Sequence, residues 1–273
     1  MCETITEEMS RKRTLLPDLY KAKRQYVPSS ANNEENGMPS TRGDTNGLSE
    51  VPSDTKAALL LLRGLFPLEK FEERLPPIIL KHQLYSLVKN RTLVDKQLND
   101  LVTAGEVKVF KLGVDSNSQC LVFSADYTHH VLRVMSETKV DQTLIEKVRV
   151  NILDAHTDIS LEKDSLTREY GFTDAEITQL VQVSLLTVRD VGSWWLSIPN
   201  TGIFMKSYIR GRKSLLTMIK KCKYREILKT ELEQRRWPKL ARLGISYHIH
   251  DIIGADLVDC IMTTSGELLR LRE

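Results

Sequence analysis

The sequence predicts an α+β, mostly helical protein that follows a disordered N-terminal tail, and three observations lead to this prediction. Residues 27–52 are crowded with Ser, Asn, Gly, Pro, Asp and Glu, which leaves too few apolar groups to offset the entropy of ordering. From residue 54 onward, apolar residues recur at helical spacing. Three helices followed by a β-hairpin then occur twice in succession. Because this is the order of a winged helix, a variant of helix-turn-helix, we predict three tandem winged-helix domains.

The predicted boundaries place the tail at 1–53 and the three winged helices at 54–136, 137–200 and 201–273. In the first domain, Asp54 can cap the opening helix and Pro67 ends it. Pro76 and Pro77 then open a second helix, since proline suits the first helical turn. The further elements predicted here are the helices 78–88, 91–105 and 126–135 and the strands 107–112 and 120–123.

The second and third domains follow from the same signals. In the second, the expected elements are the helices 141–155 and 161–170, a helix capped by Thr173, and the strands 186–188 and 194–198. The third is less regular, with a permuted or reduced hairpin. Its expected elements are the helices 204–225, 224–236 and 251–262 and the strands 245–249 and 267–271.

Composition excludes several classes of protein. The formal net charge of the 273 residues is only +3, so any attraction to a polyanion must come from local basic clusters. The four cysteines form no CxxC pair, which argues against a zinc finger and favours reduced thiols. The N-terminus carries early acidic residues and no apolar run, so it is no signal peptide, and no segment reaches the about 20 apolar residues that a membrane span needs.

The segment 204–225 is the strongest functional signal, because it predicts a basic amphipathic helix. Its apolar face is formed by Phe204, Tyr208, Leu215, Ile219 and Cys222. Cations repeat with the same period on the opposite side, and further cations widen this surface. The candidate DNA contacts here are Lys206, Arg210, Arg212, Lys213, Lys220, Lys221, Lys223 and Arg225. Solvated charged faces usually interleave Glu with Lys, but no acidic residue occurs before Glu226, which favours a phosphate backbone as the partner.

The helices that would enter the major groove differ between the first two domains. The first offers Arg91 and Lys96, which can reach bases or phosphates. The second opens with Thr173, Asp174 and Glu176, and phosphates would repel this acidic start. We therefore expect the second domain to pack on a neighbour, and we expect DNA binding to be led by the backbone with weak sequence specificity.

Three further groups of residues leave alternatives open. The tail contains two basic clusters, which fit a bipartite nuclear import signal, an arm on DNA phosphates, or a solvated tail: Arg11, Lys12, Arg13, Lys21, Lys23 and Arg24. Trp194 and Trp195 point to opposite faces of a strand, so one belongs to the core and the other contacts a partner or, as we favour, is covered by an adjacent domain. His248 and His250 would share a strand face, but no third metal ligand lies nearby.

The motifs of an enzyme are missing. A protein kinase needs a Gly-rich loop, a strand lysine, an HRD catalytic loop and a DFG metal site, and none is present. Walker, GxSxG and HExxH motifs are missing as well. No pair of carboxylates and no nucleophile with a neighbouring base stands out, so we predict a protein that is not an enzyme and has no cofactor.

Several segments carry a specific family resemblance. They are Leu75-Pro-Pro-Ile-Ile-Leu, Tyr85-Ser-Leu-Val, Asp174-Ala-Glu-Ile-Thr, Leu186-Thr-Val-Arg-Asp-Val-Gly-Ser-Trp-Trp-Leu, Lys223-Tyr-Arg-Glu, Tyr247-His-Ile-His-Asp-Ile-Ile-Gly-Ala and Thr263-Thr-Ser-Gly. From about residue 54 to the C-terminus the chain resembles the serine/threonine-protein kinase 19 family, whereas the tail matches poorly. The resemblance implies three winged helices, no kinase activity, nuclear localisation and binding of double-stranded DNA. It also implies transcription-coupled nucleotide excision repair at stalled RNA polymerase II, with the Cockayne syndrome A protein, the UV-stimulated scaffold protein and the TFIIH helicase as partners.

Three hypotheses follow from the sequence. The leading one is a DNA-binding repair adaptor that bridges the stalled polymerase complex. The second is a protein-interaction scaffold without a direct role on DNA. Its affinity for a partner would not depend on salt concentration, whereas phosphate binding weakens as the salt concentration rises. The third is a kinase, as the family name suggests, and it requires binding of ATP with magnesium.

Overall fold

The computed structural model of the protein describes residues 53–112, 119–154 and 159–272. The predicted tail and its basic clusters therefore lie outside the described residues. The described elements repeat the order helix, strand, helical segment, helix, strand, strand three times, and each repeat forms one three-stranded antiparallel sheet. In each sheet the last strand of the repeat lies in the middle. The fold is thus a mixture of helices and small sheets, as the sequence predicts.

The first repeat confirms most of the elements expected for it. Its elements are α1 Asp54–Gly64, β1 Ile79–Leu80, a 3-10 turn Lys81–Ser86, α2 Arg91–Thr103, β2 Val107–Lys111 and β3 Gln119–Phe123, followed by α3 Ser124–Glu137. Ser53, rather than Asp54, caps α1 by accepting a hydrogen bond from the Lys56 amide. The predicted helix 78–88 is confirmed only as the 3-10 turn Lys81–Ser86. Its start is buried and extended, and Ile79 pairs with Leu121. A short apolar run fits a buried strand as well as a helix.

The second repeat opens with α4 Gln142–Val148, which continues as a π-type segment Arg149–Asp154. Then follow β4 Ser160–Glu162, a π-type turn Ser165–Glu169, α5 Asp174–Gln182, β5 Leu186–Asp190 and β6 Ser193–Leu196. The predicted cap is confirmed, because the Thr173 hydroxyl accepts from the Glu176 amide while the Glu176 carboxylate accepts from the Thr173 amide. The start of the predicted helix 161–170 is wrong, since Leu161 pairs with Trp194 in the sheet, and the helical part is the π-type turn Ser165–Glu169.

The third repeat differs most from expectation. It consists of α6 Thr201–Lys220, β7 Glu226–Leu228, α7 Lys229–Gln234, α8 Ile245–Gly254, β8 Val258–Thr263 and β9 Gly266–Leu271. The predicted helix 224–236 is a strand followed by a short helix. The predicted strand 245–249 is wrong, because one helix covers residues 245–254. The predicted helix 251–262 is correct only up to residue 254, and a strand follows it. Ile245 and Ile249 fit both an alternating and a helical pattern, whereas the buried Ile252 fits only the helix.

The buried core joins the three repeats. The largest cluster of buried apolar side chains joins residues of all three repeats, such as Tyr127, Leu166 and Tyr247. A second cluster lies between α1, α2 and the first sheet, and a third lies under α6, α8 and the last sheet. All described residues belong to one compact unit, Glu50–Glu273. In the described ranges, no helix combines the length and the apolar character that a membrane crossing requires.

His130 on α3 makes the stability of the fold depend on pH. The residue is 3% exposed, and its Nε2 lies 3.2 Å from the carbonyl oxygen of Pro199. Burial lowers the pKa of His130 to about 4, because the charged ring would lose its hydration. The folded protein therefore keeps this ring neutral at pH values where an unfolded chain, with a histidine pKa of about 6.5, already binds a proton.

The pKa of His130 is thus lower in the folded protein than in the unfolded chain. As the pH falls from about 6.5 towards 4, a proton binds to this histidine only in the unfolded chain, and the free energy of unfolding decreases. Between pH 7 and pH 5, we expect the free energy of unfolding to fall by about 2 kcal/mol more in the parent protein than in His130→Gln. Urea unfolding at a series of pH values measures the difference. An identical pH dependence for the two proteins would show that His130 is not the responsible group.

Candidate nucleic-acid interface on helix α6

The buried face of α6 fixes the orientation of the helix. Phe204, Tyr208, Leu215 and Ile219 are buried, as the apolar spacing predicts, and Cys222 beyond the helix end is half-buried. Gly211 lies on the same face, where its backbone packs directly against the ring of His248 on α8. Side chains displaced from this face by half a turn must therefore point to solvent.

The basic strip of α6, formed by Lys206, Arg210, Lys213 and Lys220, lies on that solvent side. All four side chains are exposed, and none forms an ion pair with another described residue. At 1.5 Å per residue the strip extends about 21 Å along the helix axis. Four unpaired cations on one face, without a carboxylate among them, form a surface that complements a row of phosphates.

The helix ends earlier than predicted, at Lys220 instead of residue 225. Tyr224 and Arg225 adopt left-handed backbone angles, with φ of 58° and 57°, before β7 begins. The remaining candidates Lys221, Lys223 and Arg225 are exposed, but they lie in this turn rather than on the helix. The predicted cations thus divide into a helical strip and a cluster beyond its end.

Arg212, which the sequence predicts as a phosphate contact, has a structural role instead. Its Nε donates to Asp251 Oδ2 at 2.8 Å, and its Nη2 donates to Asp251 Oδ1. The guanidinium also stacks over the ring of Tyr208, 4.7 Å from the ring centre. Because the Asp251 side chain is completely buried, this ion pair holds Arg212 against the body of the protein.

Asp251 is the centre of a network that links three distant segments. Besides Arg212, its Oδ1 accepts hydrogen bonds from Tyr208 at 3.0 Å and from His82 Nε2 at 2.6 Å. An ionised carboxylate can only accept, so the His82 ring must donate here. Burial opposes the ionisation of Asp251, but the bonds from Arg212 and His82 outweigh it and hold the pKa of this carboxyl well below its usual range. The network thus stabilises a buried carboxylate between the first repeat, α6 and α8.

The two candidates on α2 have different surroundings. Arg91 donates to Asp256 at 2.7 Å and lies over the ring of Tyr85, so its charge is already paired. Lys96 is exposed on the same helix. On α5, Asp174 and Glu176 form ion pairs with Lys163 and Lys147. These acidic residues occupy the first turn, where carboxylates stabilise a helix.

Both tryptophans of β6 are half-buried. Trp194 packs against the largest core cluster. The Trp195 ring lies between two cations, with Lys111 Nζ at 4.3 Å and the Arg189 guanidinium at 4.5 Å from the ring centre. Since Lys111 belongs to β2, a neighbouring sheet covers part of Trp195. A partner contact at either tryptophan stays a prediction.

The histidine pair lies on α8 rather than on a strand. His248 is fully buried against Gly211, and His250 Nδ1 lies 2.8 Å from the Ser86 hydroxyl. The described residues contain no group of three or more potential metal ligands. Their cysteines, Cys120, Cys222 and Cys260, are free thiols.

Comparison with known proteins identifies the family of the chain. A family model described as inactive serine-threonine protein kinase 19 matches residues 48–271. The chain belongs to this family. The matched range of this chain includes α6 with its basic strip and all residues of the Asp251 network.

Vertebrate relatives of the inactive serine-threonine protein kinase 19 family cover nearly the whole chain. Winged helix repair factor 1 of Homo sapiens is 45% identical over 230 residues, which are 84% of this chain and 90% of that protein. The protein of the same name from Mus musculus is 43% identical over 264 residues, 96% of this chain and 99% of the relative. That of Xenopus laevis is 41% identical over 265 residues, 97% and 100% of the two chains. The description of the family as inactive agrees with the missing kinase motifs.

Proposed function

We propose that this chain is a winged-helix DNA-repair protein that holds the backbone of double-stranded DNA on the basic strip of α6. The observation that carries the proposal is the set of four exposed cations without a described acidic partner. The names of the relatives, which combine a winged helix with repair, support it. So does the element order of the repeats, which fits three tandem winged helices with the boundaries 54–136, 137–200 and 201–273.

The dimensions of the strip suit a DNA backbone. Its length of about 21 Å corresponds to about six base pairs at 3.4 Å per base pair, and it exceeds the about 12 Å width of the major groove. The strip can therefore contact phosphates on both sides of a groove. Lysine and arginine dominate it, and amide side chains that could read base edges are missing from it, so binding follows the backbone with weak sequence specificity.

Charge reversal on the strip tests the proposal. The triple variant Lys206→Glu, Arg210→Glu and Lys213→Glu should bind a duplex on the order of 100-fold more weakly at low salt, because three phosphate contacts become repulsive. The plot of log affinity against log salt concentration should also become less steep by about three, since each lost phosphate contact removes nearly one unit of slope. Fluorescence anisotropy with a labelled duplex across a salt series measures both quantities.

A matched variant separates a local effect from the change in total charge. Lys139→Glu, Arg149→Glu and Arg168→Glu reverse three exposed cations in the second repeat. This variant should keep most of the affinity and the original salt slope. If both triple variants lose affinity equally, or if the strip variant binds like the parent, the basic strip is not the DNA-binding surface.

The proposal extends to the role in the cell that the family resemblance implies. We propose that the protein has no enzymatic activity of its own and acts in the nucleus as an adaptor in transcription-coupled nucleotide excision repair. There it would bridge duplex DNA and the stalled RNA polymerase II complex, with the Cockayne syndrome A protein, the UV-stimulated scaffold protein and the TFIIH helicase as partners. The solvent-exposed strip and the cations beyond the helix end at Lys223 and Arg225 are compatible with DNA held on one side and proteins on the others.

A further inference from the structure

A groove runs along α6 beside the basic strip, and DNA binding leaves it without a role. It encloses a cavity of about 400 Å³ between α6 and the first sheet. Its wall is formed by Met205, Ile209 and Leu216 on α6 together with Leu112 after β2, and Lys213 and Lys220 lie along its outer edge. These α6 residues follow one another at helical spacing, so they form a continuous band between the buried face and the basic strip.

The apolar wall of this groove is open to solvent at Ile209. Ile209 is 48% exposed and belongs to none of the three core clusters of the described residues. Its side chain is therefore not needed to pack the protein itself. A DNA backbone gains nothing from an isoleucine, because phosphates require cations and hydrogen-bond donors. Met205 and Leu216 beside it are half-buried and pack partly on the core, so Ile209 with the open sides of these two residues indicates a partner that buries apolar side chains.

The charges around the groove define that partner further. The described residues that line the groove include no carboxylate, and the charge of Arg212 is compensated by Asp251. Lys213 and Lys220 thus leave the edge positive. From Met205 to Lys220 the groove follows α6 for about 22 Å. This length accommodates the about 17 Å over which an amphipathic helix presents side chains at i, i+4, i+7 and i+11. A cavity of this volume takes the apolar side chains of such a helix.

We propose that this groove binds an acidic amphipathic helical segment of a partner protein. The apolar face of the segment packs on Met205, Ile209 and Leu216, and its carboxylates pair with Lys213 and Lys220. Both lysines also belong to the basic strip, so the segment and DNA compete for them. The competition rests on the proposed function, whereas binding in the groove does not.

Selection from a phage library of random 16-residue peptides on the full chain tests the proposal. Enriched peptides should combine apolar residues at helical spacing with Asp and Glu. A synthetic peptide from this set should bind Ile209→Gln about tenfold more weakly than the parent, because a buried isoleucine contact contributes somewhat more than 1 kcal/mol. Ile209 is outside the core clusters, so Ile209→Gln should keep its fold, which thermal unfolding verifies.

Arg210→Glu serves as the matched variant, since Arg210 lies on the basic strip but does not line the groove. Peptide binding should persist in Arg210→Glu while duplex binding weakens, and Ile209→Gln should show the reverse pattern. The proposal is overturned if the enriched peptides lack acidic and apolar residues together, or if their affinity ignores Ile209→Gln. Failure of the DNA proposal would appear separately, as duplex binding that ignores Arg210→Glu.

Discussion

Asp251→Ala is expected to lower the free energy of unfolding by about 3–5 kcal/mol, the usual cost of removing one partner from a buried ion pair. Asp251 is completely buried and accepts hydrogen bonds from Arg212, His82 and Tyr208. Without the carboxylate, the partly buried guanidinium of Arg212 has lost its counter-charge, and the donors of His82 and Tyr208 have lost their acceptor. Urea unfolding followed by circular dichroism measures the change.

Asp259→Ala is the matched control for this prediction. Asp259 also pairs with an arginine, Arg272, but both side chains are more than 40% exposed. Exposed pairs contribute about 0–1 kcal/mol, so this variant should differ little from the parent. Similar losses in the free energy of unfolding of the two variants would mean that burial does not increase the contribution of the Asp251 ion pair to stability.

Gly254→Ala is expected to destabilise the protein by about 3 kcal/mol, at the upper end of the range for inserting a methyl group into a packed interior. A Cβ at this position would lie 1.9 Å from the carbonyl oxygen of His82. Because that oxygen belongs to the backbone of the 3-10 turn Lys81–Ser86, it cannot move aside by a side-chain rotation. The end of α8 must then separate from the first repeat. Thermal and urea unfolding measure the loss.

Gly64→Ala gives the corresponding control in a helix. Gly64 ends α1, and a Cβ there would meet no atom within 4 Å. Alanine has the higher helix propensity, so this variant should be neutral or up to about 1 kcal/mol more stable than the parent. Equal destabilisation of both variants would show that the effect at Gly254 comes from the loss of glycine itself and not from contact with His82.

The sequence predicted those elements whose pattern is local. α2, α5 and α6 have regular apolar spacing and clear end signals, such as the capping box at Thr173, and the hairpin strands of the first two repeats alternate. Several errors fall on short apolar segments, whose pattern fits a strand as well as a helix. Ile79–Leu80 is a strand inside a segment predicted as a helix, and residues 245–254 are a helix although Ile245, Tyr247 and Ile249 also fit the alternation of a strand.

Only part of the candidate site could be predicted from the sequence. Helical spacing and the missing acidic residues place the basic strip on the exposed side of α6, and its residues Lys206, Arg210, Lys213 and Lys220 are exposed in the structure. The role of Arg212 could not be inferred, since its partner Asp251 lies 39 residues away in the chain. One signal was present, because a single aspartate inside an apolar helix must be paired when it is buried.

The bond between His82 and Asp251 also has a consequence for synthesis of the chain on the ribosome. The two residues are 169 positions apart. At about 5–20 residues per second, the turn that carries His82 leaves the ribosome on the order of ten to thirty seconds before its partner helix is made. During this interval the first repeat exposes the surface that α8 later covers. A chain that stops before residue 245 keeps that surface open permanently, so premature termination close to the C-terminus should produce a target for chaperones and proteases rather than a shortened working protein.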